Sequence, residues 1–133
     1  MNTPFKPTGY TSVSPYFIVE DAQRFMELMR HIFDAQELRT YHRPSGKIMH
    51  AELQIDDSVI MLADATETYP AETIVMHVYV PDTDAVFQKA IAAGCEAIDV
   101  PKSQEGDPDR RGTFKDFAGN LWSVGTQMND SNL

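Results

Sequence analysis

The chain of 133 residues has one cysteine, Cys95, so no disulfide can close within it and no cysteine-based zinc site can form. Cys95 reads as a small residue at the start of a strand. Basic residues are scarce: 11 Lys and Arg stand against 20 Asp and Glu, a formal net charge of −9. The only adjacent basic pair is Arg110–Arg111. Such a chain is repelled by phosphate backbones and anionic lipid, so neither nucleic acid nor a membrane surface is an expected partner. Neutral or cationic small molecules are better tolerated. Seven glycines and eight prolines are too few for a low-complexity chain. No apolar run approaches the length of about 18 residues that a membrane span needs. The segment 1–16 lacks the apolar core of an export signal, and a cytoplasmic location is expected. No Gly-rich phosphate loop, Gly-x-Ser-x-Gly elbow or Ser-His-Asp ordering stands out.

What remains is a globular balance, 42% hydrophobic and 23% charged, at the length of one domain. After a loose arm over 1–11, Ser12–Glu20 (SVSPYFIVE) is β-branched and aromatic and reads as a strand, with Pro15 at its edge, start or a bulge. Asp21 is placed to cap a helix over 21–33, and Ala22, Phe25, Met26, Met29, Ile32 and Phe33 form its apolar face. That stripe is core packing. Glu37–His42 is a second strand. In Lys47–Ile55 the alternation points Met49, Ala51, Leu53 and Ile55 one way and His50, Glu52 and Gln54 the other. Asp56-Asp57 makes a hairpin turn into Ser58–Asp64.

The second half repeats the plan: strand Thr73–Val80, helix 82–93 with Val86, Phe87, Ala90 and Ile91 as its apolar face, Gly94 as its stop, strand Cys95–Val100 ended by Pro101. A polar loop over 102–109 leads to strands Arg111–Phe117 and Asn120–Gln127 around an Ala118-Gly119 turn, and a frayed tail follows from Met128 to Leu133. Val19-Glu20-Asp21 matches Val80-Pro81-Asp82, and Ile55-Asp56-Asp57-Ser58-Val59 runs parallel to Phe117-Ala118-Gly119-Asn120-Leu121. The expectation is one α+β domain over 1–133, built from βαβββ modules at about 12–65 and 72–127. Each sheet can be covered by its helix on one face only, so two curved mixed sheets are expected to enclose a concave cleft that takes a small ligand.

This order of elements, opened by SPYFIVEDA, resembles the glyoxalase/bleomycin resistance/dioxygenase superfamily, also called vicinal oxygen chelate. IMHAELQIDDSVIMLAD, MHVYVPDTDAVFQKAIAAG and GTFKDFAGNLWSVGTQ resemble its PhnB-like branch, and the likeness covers roughly 12–127. The resemblance implies the glyoxalase/bleomycin resistance fold and a homodimer. In the superfamily's metal enzymes four strands supply His and Glu ligands. Those positions fall here on Ser14, Met61, Val75 and Ser123, none of which carries a carboxylate or imidazole. The resemblance therefore implies a chain that has lost its metal seat.

Two readings of the function stay open, beside a structural or regulatory role with no small ligand. In the first the protein binds a small molecule without metal, and His50, Glu52, His77, Arg110, Trp122 and Tyr16 line the site. In the second it is a lyase, isomerase or dioxygenase that uses His50, Glu52 and His77, either as ligands of a divalent ion or as acid–base groups. His50 and Glu52 lie about 7 Å apart on one strand face. Glu52 is the natural proton acceptor if burial raises its pKa. Trp122 either packs on a helix or stacks on a ligand, and Arg110 either clamps an anionic group or is a solvated loop residue. His31 and His42 read as surface residues.

Overall fold

The computed structural model describes residues 3–128. The chain divides into two compact units, Met1–Glu72 and Thr73–Leu133.

Unit one runs β1 (Tyr16–Val19), α1 (Ala22–Phe33), β2 (Gln36–His42), β3 (Ile48–Ile55) and β4 (Ser58–Asp64). The sheet order is β1-β4-β3-β2, with β1 parallel to β4 and the other pairs antiparallel. Asp21 caps α1 by accepting the Arg24 N–H at 3.1 Å. Asp34, in the left-handed conformation at φ 55°, ends the helix and donates its N–H to the Arg30 carbonyl at 3.0 Å. The Met and Phe stripe is core, as expected: Phe25, Met26, Met29 and Ile32 are buried, and the Phe25 ring lies 4.9 Å from that of Phe17 on β1.

Unit two repeats the order: β5 (Val75–Tyr79), α2 (Thr83–Ala92), β6 (Glu96–Ser103), β7 (Asp109–Lys115) and β8 (Leu121–Gln127), in sheet order β5-β8-β7-β6 with β5 parallel to β8. The chain is thus α+β, two βαβββ modules each with its own mixed sheet. The repeat seen in sequence appears in the pairing, since Tyr16 lies opposite Met61 on β4 as His77 lies opposite Ser123 on β8.

Several expectations are corrected. The first strand begins at Tyr16, although the Pro15 carbonyl still accepts the Met61 N–H at 2.9 Å. Met49 is exposed, not inward, because the pairing steps from Tyr41–His50 to His42–Ile48 and leaves Met49 as the extra residue of a bulge. Ile91 is exposed, and Thr83 joins Phe87 and Ala90 as the buried side of α2. β6 does not stop at Pro101 but continues to Ser103; it ends the sheet order, so the missing N–H costs no ladder bond. The expected frayed tail lies, beyond Met128, outside the described residues.

Buried carboxylates join these elements. Asp64 accepts the N–H of Ala22, first residue of α1, at 2.9 Å and that of Ile48 at 2.7 Å. This ties β4 to β3 and places an anion at the positive end of a helix. Asp116 accepts the Ala118 and Asn120 amides at 2.9 and 3.0 Å and the Trp122 indole N–H at 2.9 Å. Asn120 in turn accepts the Ile74 N–H at 2.8 Å.

Asp116→Ala would leave the buried indole N–H without its carboxylate, at an expected cost of about 3 kcal/mol, whereas Glu67→Ala at an exposed site is expected to change stability by less than about 0.5 kcal/mol. Urea denaturation of both variants checks this, and equal losses would refute it.

Candidate functional site

Which side chains share a face follows from the rings and the register. Phe17 packs on α1, so its neighbour Tyr16 projects from the opposite face of the sheet. Tyr16 pairs with Met61, and Met61 with Glu52, which puts Glu52 and its i−2 neighbour His50 on that same face. In unit two Phe114 meets Phe87 of α2, ring centroids 6.5 Å apart, and pairs with Trp122. Trp122 therefore faces α2, while Ser123 and its partner His77 project from the other side.

In unit one the sheet face away from α1 carries a continuous hydrogen-bonded line. Tyr16 Oη lies 2.8 Å from His50 Nδ1, and His50 Nε2 lies 2.8 Å from Glu52 Oε2. The other Glu52 oxygen accepts the Tyr10 hydroxyl and lies 3.6 Å from Arg39 Nε. The Tyr41 ring stacks near His50, centroids 6.4 Å apart, and the Arg39 guanidinium lies 5.4 Å from the centre of the Tyr10 ring. Glu52 is only 4% exposed. Burial alone would push its carboxyl up, but the hydrogen bonds from Tyr10 and His50 and the charge of Arg39 outweigh that and hold it below the ordinary Glu value. The condition for Glu52 to act as a proton acceptor, a carboxyl raised by burial, is therefore not met. Burial pushes the Tyr16 phenol up, and the hydrogen bond to Glu52 does the same for Tyr10.

In unit two His77 Nε2 lies 3.3 Å from Arg111 Nη1, and the Tyr79 ring meets His77 edge-on at 4.6 Å. Gly125 makes room for this: a Cβ there would stand 3.2 Å from His77 Nε2. Arg111 also reaches Asp107 at 2.9 Å and Asp109 at 3.0 Å, and Tyr79 donates its hydroxyl to Asp109 at 2.7 Å. Burial and the Arg111 charge hold the His77 imidazole below its ordinary value.

Two expected ligand-facing residues do other work. Trp122 is fully buried against α2 with its N–H on Asp116, so no ligand reaches its ring. Arg110, 30% exposed, is tied to the protein's own Asp84 on α2, through Nε at 2.7 Å and Nη2 at 3.0 Å, and donates to the Pro101 carbonyl at 3.3 Å. Three residues escaped the sequence reading. Arg39 and Tyr41 sit opposite Glu52 and His50 only because of bulges that no local pattern announces. Tyr10 belongs to the segment read as a loose arm, and its contact with Glu52 spans 42 residues.

A family model for the glyoxalase/bleomycin resistance protein/dioxygenase superfamily matches residues 11–124. The chain belongs to this superfamily. It is 32% identical to the uncharacterized protein Mb0911c of Mycobacterium bovis, over 92% of this chain and 87% of that protein. The fold is similar to that of TioX from Micromonospora sp. ML1 (TM-score 0.75, 20% identity, 88% of this chain and 98% of that one). It also resembles a PhnB protein from Bacillus cereus (0.73, 17%, 87% and 99%) and the fosfomycin resistance protein FosX from Mesorhizobium loti (0.63, 18%, 87% and 91%).

The donors at the four positions that the resemblance assigns to metal ligands do not fit a hard divalent cation. Met61 offers a thioether, Val75 a 72% exposed alkyl group and Ser123 a hydroxyl. Ser14 Oγ is buried without a hydrogen-bond partner. Among the described residues no three His, Cys, Asp or Glu side chains converge as a metal site. His50 and Glu52 already spend both ring nitrogens and both oxygens on each other and on Tyr16, Tyr10 and Arg39.

A carboxyl held below its unfolded-state value stabilises the fold above that value and loses the contribution as pH falls through the lower, folded one. Glu52→Gln is therefore expected to flatten the fall in stability between about pH 5 and pH 3. Urea midpoints measured across that range check it, and an unchanged slope would show that the carboxylate is not held.

Proposed function

We propose that this superfamily member binds a small molecule without a metal ion, on the sheet face of unit one that carries Tyr16, His50 and Glu52. The observation that carries this reading is the buried Glu52 carboxylate, anchored behind two exposed aromatic rings, Tyr16 and Tyr41. With Glu52 ionised, His50 donates its Nε2–H as a hydrogen bond to the carboxylate and accepts one from the Tyr16 hydroxyl at Nδ1. Tyr16 then turns lone pairs outward. Acceptor lone pairs, aromatic faces and a net charge of −9 all favour a cationic ligand or one rich in N–H and O–H groups. Sequestration of this kind needs no catalytic group. By likeness to the superfamily the protein works as a homodimer.

The superfamily also includes proteins that hold metal: FosX from Listeria monocytogenes has been solved with Mn(II) and sulfate. The donor set described above supports the metal-free reading over a metal-dependent lyase, isomerase or dioxygenase built on His50, Glu52 and His77.

Purified protein is expected to contain no stoichiometric divalent ion. A bound cationic probe, ethidium or bleomycin, at a hundredfold excess over its Kd adds about 2.7 kcal/mol of stability, which raises Tm by roughly 10 °C for a chain of this size. The shift should vanish in His50→Ala. A stoichiometric ion that disappears in a His50→Ala/His77→Ala variant would overturn the proposal, as would a Tm that no cationic probe moves.

A further inference from the structure

The line from Tyr16 to Glu52 has an order that simple binding does not require. An ionised carboxylate can only accept, so the His50–Glu52 contact at 2.8 Å places a proton on His50 Nε2. In the neutral ring Nδ1 is then an acceptor, and the group 2.8 Å from it is the Tyr16 hydroxyl. A hydroxyl thus donates to an imidazole whose far nitrogen donates to a carboxylate. That is the arrangement by which an imidazole takes a proton from an attacking hydroxyl while the carboxylate orients the ring and stabilises the imidazolium.

The surroundings suit the role. The carboxylate end is sealed, with Glu52 4% exposed and its second oxygen occupied by Tyr10, whereas the hydroxyl end is open, with Tyr16 40% exposed. The Tyr41 ring lies beside the imidazole, and the hydrogen bonds at the two imidazole nitrogens hold that ring. The phenol needs the base, because burial disfavours its ionised form; the Arg43 charge acts on Tyr16 in the opposite sense, towards phenolate.

We propose that Tyr16, His50 and Glu52 form a base-activated nucleophile that accepts an acyl group from a small activated ester or thioester. The Tyr16 Oη–acyl carbon bond forms and the bond from the acyl carbon to the leaving oxygen or sulfur breaks. The Tyr16 proton passes to His50 Nδ1 and then to the leaving group. In a second step water attacks the acyl carbon and gives its proton to His50, the acyl carbon–Oη bond breaks to release the carboxylic acid, and His50 returns the proton to the Tyr16 phenolate. Nothing is oxidised or reduced. Tyr16 and His50 are the catalytic residues, and Glu52 is a positioning residue. This activity goes beyond small-molecule binding and does not depend on the cationic ligand proposed above.

The test treats the intact protein with p-nitrophenyl acetate and follows p-nitrophenolate release together with peptide mass spectrometry. One acetyl group is expected on Tyr16, arriving about 100-fold faster than on Tyr69, a 67% exposed tyrosine that serves as internal reference. His50→Gln should bring Tyr16 down to the rate of Tyr69 and leave Tyr69 unchanged. Tyr16→Phe should remove the burst. Glu52→Gln should lower the Tyr16 rate and alter its pH profile. Since a variant can fail to fold, the unmodified protein supplies a second readout: acidification that protonates the imidazole should abolish the rate advantage of Tyr16 over Tyr69. Acetylation of Tyr16 at the Tyr69 rate, or a fast Tyr16 reaction that neither His50→Gln nor acidification slows, would overturn the inference.

Discussion

A carboxylate removed from water must be given donors, and that demand organises both units. Asp64 and Asp116 are supplied by backbone amides, a tryptophan N–H and the start of a helix, and each thereby fixes elements far apart in sequence. Glu52 is supplied differently. Its donors are all side chains: Tyr10, His50 and Arg39. Backbone donors make a carboxylate structural, because every alternative position breaks secondary structure. Side-chain donors can be rearranged by a ligand. Asp109 of unit two has side-chain donors as well, but of the two Glu52 alone accepts from a histidine, and that marks the candidate site.

The two units obey one plan but differ in what they put on it. Tyr16 and His77 hold matching positions on β1 and β5, each opposite the middle of the parallel partner strand. In unit one the neighbouring charge is a carboxylate that accepts a hydrogen bond from histidine. In unit two it is Arg111, itself held by Asp107 and Asp109, and it presses histidine towards its neutral form. Duplicated strands thus deliver one histidine with an anion beside it and one with a cation.

Much of this was legible in the sequence. The strand and helix order follows from alternation and capping residues, since Asp21 and Asp82 and the apolar stripe of α1 depend only on near neighbours. The faces of His50 and Glu52 were legible for the same reason. What escaped depends on distant partners. Met49 turned outward because of a bulge set by pairing with β2. Trp122 took the helix-packing alternative, but the aspartate six residues away that anchors it was not legible. Arg110 found its anion on α2 rather than on a ligand. The sign of the Glu52 shift escaped as well, because composition reveals burial but not the donors that arrive from Tyr10 and Arg39.

β6 carries a further consequence. It ends its sheet order, and it holds Pro101 beside a register slip between Asp99 and Lys102. A growing fibril or a stray strand recruits by matching a regular row of amides and carbonyls. Here one amide is missing and the row is out of step, so this margin is a poor template for such recruitment. The price is a kinked, largely exposed strand, and in return a strongly β-forming chain gains a built-in guard against sticking to itself.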